Sequence, residues 1–477
     1  MVPERVREVL DEVSPLAGPF SDAGFRLYLV GGVVRDLLAG RDADDDGRDL
    51  DLTTDATPGQ IKALVQPIAS SIWTQGERFG TIGARLGSRN FEITTHRAEA
   101  YSPDSRKPEV QFSTDIEADL SRRDYTVNAM ALEVTGDSPR LIDPFDGAAH
   151  LVERVLRTPL EPHESFSDDP LRMIRAARFV AQFQLVPDAE LRAAVIEMVA
   201  RLEIVSVERI RVELDKLMVV DDPAAGLWFL VDTGLAEWFL PELPAMRVEQ
   251  DPIHRHKDVL SHTIAVIGKT RARVDGRPNL KVRLAALFHD VGKPKTRSIG
   301  SKGVSFHHHE VVGARMTRDR MKALRYSNEM VDDVTQLVYL HLRFHTYSMG
   351  WTDSAVRRFV RDAGPLLDEL IELTRCDCTT RNQRKAETLA RRMDDLEARI
   401  VELRAEEELK AMRPELDGRT VMDHLGIGPG PEVGKAMNFL LELRLDEGVL
   451  GEEEALRRLD EWWAGRAPGT ASRDEQR

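Results

Sequence analysis

A chain of 477 residues is too long for one core and suggests about two to four domains. With 42% apolar and 31% charged residues it can form ordinary globular cores, and no apolar run approaches the ~18 residues a membrane span needs. The formal charge of -15 excludes a protein that coats nucleic acid by bulk attraction, although a local basic groove could still grip it.

The opening "MVPERVREVLDEV" reads as an amphipathic helix with interleaved acids, unlike a signal or transit peptide, so the cytoplasm is the expected compartment. Only Cys376 and Cys378 occur; residues two apart are poorly placed to bridge each other, which agrees with a reducing environment. The first ~140 residues show mixed α/β periodicity. "FRLYLV" (25–30) predicts a strand, "GG" a turn, "VVRDLLAG" a short helix ending at Gly40, and "DLDLTT" a second strand. "TPGQIKALVQPI" predicts a helix capped by Thr57 with Pro58 at its first position, and "GTIGARLGSRNFEITTHR" a hairpin through Gly87 to Asn90. Residues 101–113, rich in turn formers, read as a mobile loop. Beyond about residue 145 the apolar stripes have a helical period, interrupted by the proline-punctuated stretch 240–252; the final residues, "GRAPGTASRDEQR", read as disordered.

Asp49 and Asp51 in "GRDLDLTTDA" alternate with Leu50 and Leu52. In a strand the two carboxylates share a face, roughly 6.5 to 7 Å apart, while the leucines enter the core. That pattern fits a polar strand edge or a pair of Mg²⁺ ligands completed by substrate phosphates. Upstream, the Gly31-Gly32 turn lets backbone N–H groups approach a phosphate and Arg35 adds positive charge. Asp169, before Pro170, is a helix-cap candidate; Arg172, Arg175 and Arg178 follow at three-residue spacing and fit a solvated helix face. Farther on come His262, the His289-Asp290 pair of "LFHDVGKP", His307 to His309, His341 and Asp377. Imidazoles with carboxylates suit divalent transition metals.

The ordered series "LVGGVVRDLL", "DLDLTTDATP", "ERFGTI", "EITTHR", "DLSRRDYTVNAMAL", "IDPFDG" and "DDPLRMIRAARF" resembles the class II tRNA nucleotidyltransferase and poly(A) polymerase family over roughly residues 25–240. His96 stands where that family's pattern leads one to expect an aromatic such as phenylalanine, and the loop "RDADDDG" is longer than usual. The resemblance implies an α+β architecture: a small mixed-sheet, polymerase β-like head (1–145), an all-α neck (146–245), an α-helical HD-type domain (253–392) and a helical tail (393–477). It implies catalytic Asp49 and Asp51 with Mg²⁺, nucleotide contacts from Gly31, Gly32, Arg35, Arg123, Asp169, Arg172, Arg175 and Arg178, and Glu92 as a weaker third carboxylate. Asp169 and Arg172 would read the incoming base: a carboxylate accepting from an amino group and a guanidinium donating to a ring nitrogen suit cytosine and adenine, whereas guanine and uracil present the reverse polarity. The 101–113 segment matches the family's flexible loop.

The histidine-rich block resembles HD-type metal phosphohydrolases, implying a divalent ion (Mg, Mn, Ni, Co or Zn) at His262, His289, Asp290, His309, His341 and Asp377, and phosphatase or cyclic-phosphodiesterase activity on nucleotides or RNA ends. The expected activity is addition of C, C and A to tRNA 3′ ends from CTP and ATP, with tRNA, ATP and CTP as partners and neither membrane nor DNA. A poly(A) polymerase, an RNA-end hydrolase with a degenerate head, and a non-catalytic RNA binder are the rivals.

Overall fold

The computed structural model describes residues 4–40, 49–100, 109–136, 138–248, 258–300, 303–346, 352–378, 383–407 and 415–465. The loop 41–48, the segment 101–108 and the end from 466, for which the sequence suggests a long loop, mobility and disorder, lie outside them. The chain forms two compact units, one dominated by Met1–Arg247 and the other beginning at Val248.

The first unit opens with helix α1 (Glu4–Asp22), whose Val9, Val13, Leu16 and Phe20 recur at helical spacing and are buried. Strand β1 (Leu27–Val30) leads through the Gly31 turn into α2 (Gly32–Leu38), then to β2 (Leu50–Thr54) and α3 (Pro58–Val65). Thr57 and Gln60 form a capping box at the start of α3, which stops two residues short of Pro67, whose ring cannot continue a helix. Strands β3 (Ser71–Trp73), β4 (Thr81–Leu86) and β5 (Arg89–Thr95) follow, with the expected hairpin turning at 87–88.

Residues 109–113 depart from the loop expectation. Glu109–Phe112 forms β7, antiparallel to β6 (Arg97–Ala100), because the turn formers end at Pro108 and "EVQF" has the alternation of a strand. Helix α4 (Ile116–Ser121), β8 (Ala131–Glu133), β9 (Arg140–Ile142) and α5 (Gly147–Glu153) complete the head. Its seven-stranded sheet has the order β3-β4-β5-β2-β1-β8-β9, antiparallel except for the β2–β5 pair. Leu50, Leu52, Phe91 and Ile93 pack with α1 and α3 on one face, so Asp51 and its register partner Glu92 face the other way.

The rest of this unit is helical: α6 (Pro162–Asp168), α7 (Leu171–Phe183), α8 (Ala189–Met198), α9 (Val207–Met218), α10 (Ala224–Asp232), α11 (Leu235–Phe239) and α12 (Glu242–Ala245). Helices α7 and α10 meet at Gly226, where a Cβ would lie 2.4 Å from the Ala177 carbonyl oxygen.

The second unit comprises α13 (Val259–Lys269), α14 (Leu280–Phe288), α15 (Lys293–Thr296), α16 (His309–Ala323), α17 (Asn328–Leu340), α18 (Asp353–Ala363), α19 (Leu367–Asp377), α20 (Gln383–Glu407), α21 (Gly418–Leu425), α22 (Pro431–Glu447) and α23 (Glu452–Ala464). Helix α20 runs unbroken through residue 392. The α+β head followed by helices is the architecture expected from the sequence. No helix among the described residues is long and apolar enough to cross a membrane.

Candidate active site and candidate metal centre

Asp49 immediately precedes β2 and Asp51 lies within it, both exposed on the sheet face opposite the leucine core. Enclosure by the protein raises the Asp51 pKa, Arg123 opposes that, and Asp49 adds to it. Glu92, opposite Asp51 on β5, is likewise raised by burial and then by Asp51 and Asp49. The carboxylates of Asp49, Asp51 and Glu92 gathered on one sheet face suit a hard divalent cation.

Gly31 has φ 73°, and a Cβ there would come within 3.1 Å of Arg123 Nη1. Glycine therefore permits both the left-handed turn and the approach of Arg123. Asp119 anchors Arg123 and Arg122 from below, and the two guanidiniums hold its buried carboxyl down to about 2 against the effect of burial.

A cavity of about 250 Å³ beside this turn is lined by Arg122, Arg123, Asp124, Asp169, Arg172, Arg175 and Arg209, together with Leu171. Asp169 closes α6 and lies one residue ahead of Pro170, the N-cap of α7, where its Oδ1 accepts from the Leu171 N–H at 3.2 Å. Its Oδ2 accepts from Arg209 at 2.7 Å. Arg172 is held independently: Nη1 donates to Ser165 Oγ at 2.8 Å and Nη2 to the Arg122 carbonyl. A guanidinium has five N–H donors, so donors remain for a ligand. Arg175 donates to Asp124, which also receives the Asn128 side chain and sits well below the usual carboxylate range despite burial.

Of the expected nucleotide contacts, Arg123, Asp169, Arg172 and Arg175 line this cavity, while Gly31 and Gly32, in the turn beside it, and Arg35 and Arg178 do not. Arg35 is only 4% exposed, donates to Asn128 Oδ1 and Asp36, and lies 4.0 Å from the Phe183 ring centroid, so it ties α2 to α7. Arg178 turns to Glu213 at 2.9 Å and over Phe179. The amphipathic spacing of α7 rotates Arg178 away from the face that Arg172 and Arg175 share with the cavity. Sequence reasoning missed Arg209, which acts on Asp169 40 residues away, and Ser165, which reaches Arg172 across the break between α6 and α7.

His96 fills the expected aromatic position as an aromatic. Its ring packs 5.6 Å from Tyr28, Nδ1 pairs with Thr53 Oγ1, and burial lowers its pKa to about 4.

In the second unit, His262 (α13), His289 and Asp290 (end of α14), His309 (start of α16), His341 (end of α17) and Asp377 (end of α19) converge. His262 Nε2 lies 2.9 Å from Asp377 Oδ1, and His289 Nε2 lies 3.3 Å from Asp290 Oδ2. His309 Nε2 approaches the other oxygen of Asp290 at 3.4 Å. The potential ligand atoms form two sets, His262–His289–Asp290 and Asp290–His309–His341, each within 4.8 Å and sharing Asp290.

The backbone carbonyls of Ala286, Phe306 and Val338 bond Nδ1 of His289, His309 and His341, which leaves each Nε2 facing inward. Nε2 of His341 is buried with no hydrogen-bond partner, and that of His309 has only its long approach to Asp290. Inward, unpartnered imidazole nitrogens on backbone-locked rings are the arrangement of metal ligands. Burial disfavours charge on His289, but Asp290 and Asp377 outweigh it and raise its pKa to about 10, while burial and then His289 lower His341 to about 4. Lys293, three residues after Asp290, donates to its Oδ2 at 2.7 Å; that spacing was readable in "HDVGKP". His307 and His308 are exposed; Cys376 is buried and Cys378 half-buried, both are free thiols, and burial raises their pKa values to about 12 and about 11.

Three family models match the chain: the poly A polymerase head domain over residues 27–157, a probable RNA and SrmB- binding site of polymerase A over 185–246, and the HD domain over 259–403. An A-adding tRNA nucleotidyltransferase of Deinococcus radiodurans is 33% identical over 453 residues, 93% of this chain and 96% of that protein. A CCA-adding enzyme of Lactobacillus delbrueckii subsp. bulgaricus is 36% identical over 250 residues, 52% of this chain and 59% of that protein. The fold matches the Bacillus stearothermophilus CCA-adding enzyme in complex with CTP, with a TM-score of 0.68 at 23% identity over 97% of this chain and 99% of that one. It also matches the Thermotoga maritima CCA-adding enzyme complexed with tRNA, with a TM-score of 0.57 at 20% identity over 97% and 96%. The chain belongs to the tRNA nucleotidyltransferase and poly(A) polymerase family and carries an HD domain.

Proposed function

We propose that this nucleotidyltransferase adds C, C and A to tRNA 3′ ends from CTP and ATP without a nucleic-acid template, in the cytoplasm. The observation that carries the reading is the independent fixing of Asp169 and Arg172 on one cavity wall, an acceptor and a donor that suit cytosine and adenine alike. A guanine or uracil there would leave buried groups unpaired, at ~1 to 3 kcal/mol each. Asp49 and Asp51, with Glu92 beside them, would hold Mg²⁺, which supplies charge neutralisation at the triphosphate and activates the attacking hydroxyl. Arg123 and Arg175 orient the nucleotide. The RNA 3′ oxygen forms its bond to the α-phosphorus as the bond to pyrophosphate breaks, and the hydroxyl proton passes to solvent.

The division of labour follows the proposed boundaries: head 1–145, neck 146–245, HD domain 253–392 and tail 393–477. The HD cluster would hold divalent metal at His262, His289, Asp290, His309, His341 and Asp377 and hydrolyse phosphate esters of nucleotides or RNA ends, with Lys293 steadying Asp290. A second reading, addition of A alone, is favoured by the full-length likeness to an A-adding enzyme.

The test supplies Mg²⁺, labelled CTP, ATP, GTP or UTP, and tRNA transcripts ending before CCA, before the second C or before A. Stepwise addition that stops after C, C and A supports the proposal. Addition of A only, to transcripts already ending in CC, selects the second reading, and long A tracts assign the chain to polyadenylation.

A further inference from the structure

A second cavity in the head, about 430 Å³, is lined by Trp73, Gln75, Phe79, Thr81, Glu92 and Arg97, together with Gly76 and Gly83. The strand register explains its position. Asp51 pairs with Glu92, Glu92 with Gly83, and Gly83 with Trp73, so these four residues form one row across β2, β5, β4 and β3. Directly opposed residues share a face, and neighbouring strands are about 4.8 Å apart. Gly83 has no side chain to occupy its place in the row, and Trp73 fills it: a Cβ on Gly83 would lie 1.9 Å from the indole. The half-buried indole therefore lies across β4, one strand from Glu92 and two from Asp51. Phe79, 41% exposed, adds a second aromatic wall, and Arg97 is steadied by Thr81 Oγ1 at 3.0 Å.

The cavity lies on the side of β2 opposite β1, where the Gly31 turn and Arg123 lead to the arginine-lined cavity. An in-line displacement at phosphorus requires the attacking oxygen to arrive opposite the pyrophosphate. If the triphosphate lies on the β1 side, the RNA 3′ end must enter from the β5–β4–β3 side. We propose that Trp73, laid flat by Gly83 and flanked by Phe79 and Arg97, is the stacking platform for the base of the 3′-terminal nucleotide of the RNA acceptor. This assignment rests on the nucleotidyl-transfer reading above. Stacking on an aromatic plane tolerates any base, which suits a primer whose terminal base changes at each addition, and Arg97 supplies a cation for its phosphate.

The experiment measures binding of a fluorescent tRNA acceptor minihelix to the full chain without nucleotide. One RNA carries an ordinary 3′-terminal base; the other has an abasic terminal nucleotide. Trp73→Ala should weaken binding of the ordinary RNA about tenfold, leave binding of the abasic RNA unchanged, and leave the KM for CTP and ATP unchanged. Trp73→Phe should recover most of the loss. Equal weakening of both RNAs would reduce Trp73 to a structural role, and a loss confined to the nucleotide KM would assign the cavity to the incoming base; either overturns the proposal. Binding is read without turnover, so a wild-type chain that adds the wrong nucleotides but keeps this pattern refutes the CCA reading and leaves the platform standing.

Discussion

The proposed transferase site and the HD cluster both gather acids and nitrogen bases, but they handle charge in opposite ways. At the transferase site Asp49 and Asp51 are exposed, and nearby arginines are engaged by protein carboxylates: Arg123 by Asp119, Arg175 by Asp124 and Arg209 by Asp169. In the proposed reading that site is completed only when substrate phosphates and cations arrive together. In the HD cluster His289, Asp290 and His341 are at most 1% exposed, and Nε2 of His341 has no hydrogen-bond partner. A buried, preassembled ligand set should retain metal through purification; an open carboxylate pair should exchange it freely.

The sharpest way to break this comparison is to remove one carboxylate from each site. Asp51→Ala should reduce nucleotide addition by about 10³-fold or more while metal content, read by mass spectrometry, stays at the wild-type value. Asp290→Asn should do the reverse, weakening metal retention by more than the roughly 10- to 100-fold cost of losing an outer-shell partner, with nucleotide addition intact. If Asp290→Asn also abolishes addition, the two sites are not independent.

Next in size is the buried support beneath the arginines. Asp124→Asn leaves Arg175 without its main counter-charge and should cost about 3 to 5 kcal/mol of stability, seen as a lowered Tm of the first unit. Asp119 and Asp124 have depressed pKa values in the folded chain, so their stabilisation is present above the ordinary carboxylate pKa and is lost as pH falls through the depressed folded values. Acid unfolding of the first unit should accordingly shift in Asp124→Asn. Arg209→Ala has a smaller expected effect because the Arg209 side chain is 53% exposed. Its loss should cost about 1 kcal/mol, roughly fivefold in nucleotide KM, with more GTP or UTP accepted because Asp169 is less firmly oriented.

The smallest effect tests His96. Its folded pKa of about 4 lies below the ordinary 6.5, so the unfolded chain binds the proton more readily. His96 therefore contributes stability above pH 6.5 that drains away as pH falls toward 4. His96→Phe should flatten the stability curve in that window, as measured by denaturant unfolding at stepped pH, while preserving packing on Tyr28. A wild-type slope in the variant would assign the effect to other groups.

Much of the head was legible because its signals are local. The alternation in "DLDLTT" specifies which side chains of β2 enter the core, and Thr57, Pro58 and Gln60 mark the start of α3 within four residues. The strand at 109–112 was obscured by the turn formers before it. Arg35 and Arg178 show a different limit: one-turn spacing places an arginine near a motif, but packing decides whether it faces a cavity or spans to Asn128 or Glu213.

By itself the sequence determined the mixed sheet followed by helices and the shared face of Asp49 and Asp51, because these depend on residue type and short-range period, while the roles of that pair and of the histidine set came from the resemblance its ordered motifs carry. Only the tertiary structure decided that Arg209 holds Asp169, that Asp290 is shared by two ligand sets, and that Trp73 lies in the row of Asp51 and Glu92. Apart from the adjacent His289–Asp290 pair, those relations join residues from 19 to 51 positions apart through strand register and helix packing, and no local periodicity encodes such pairings.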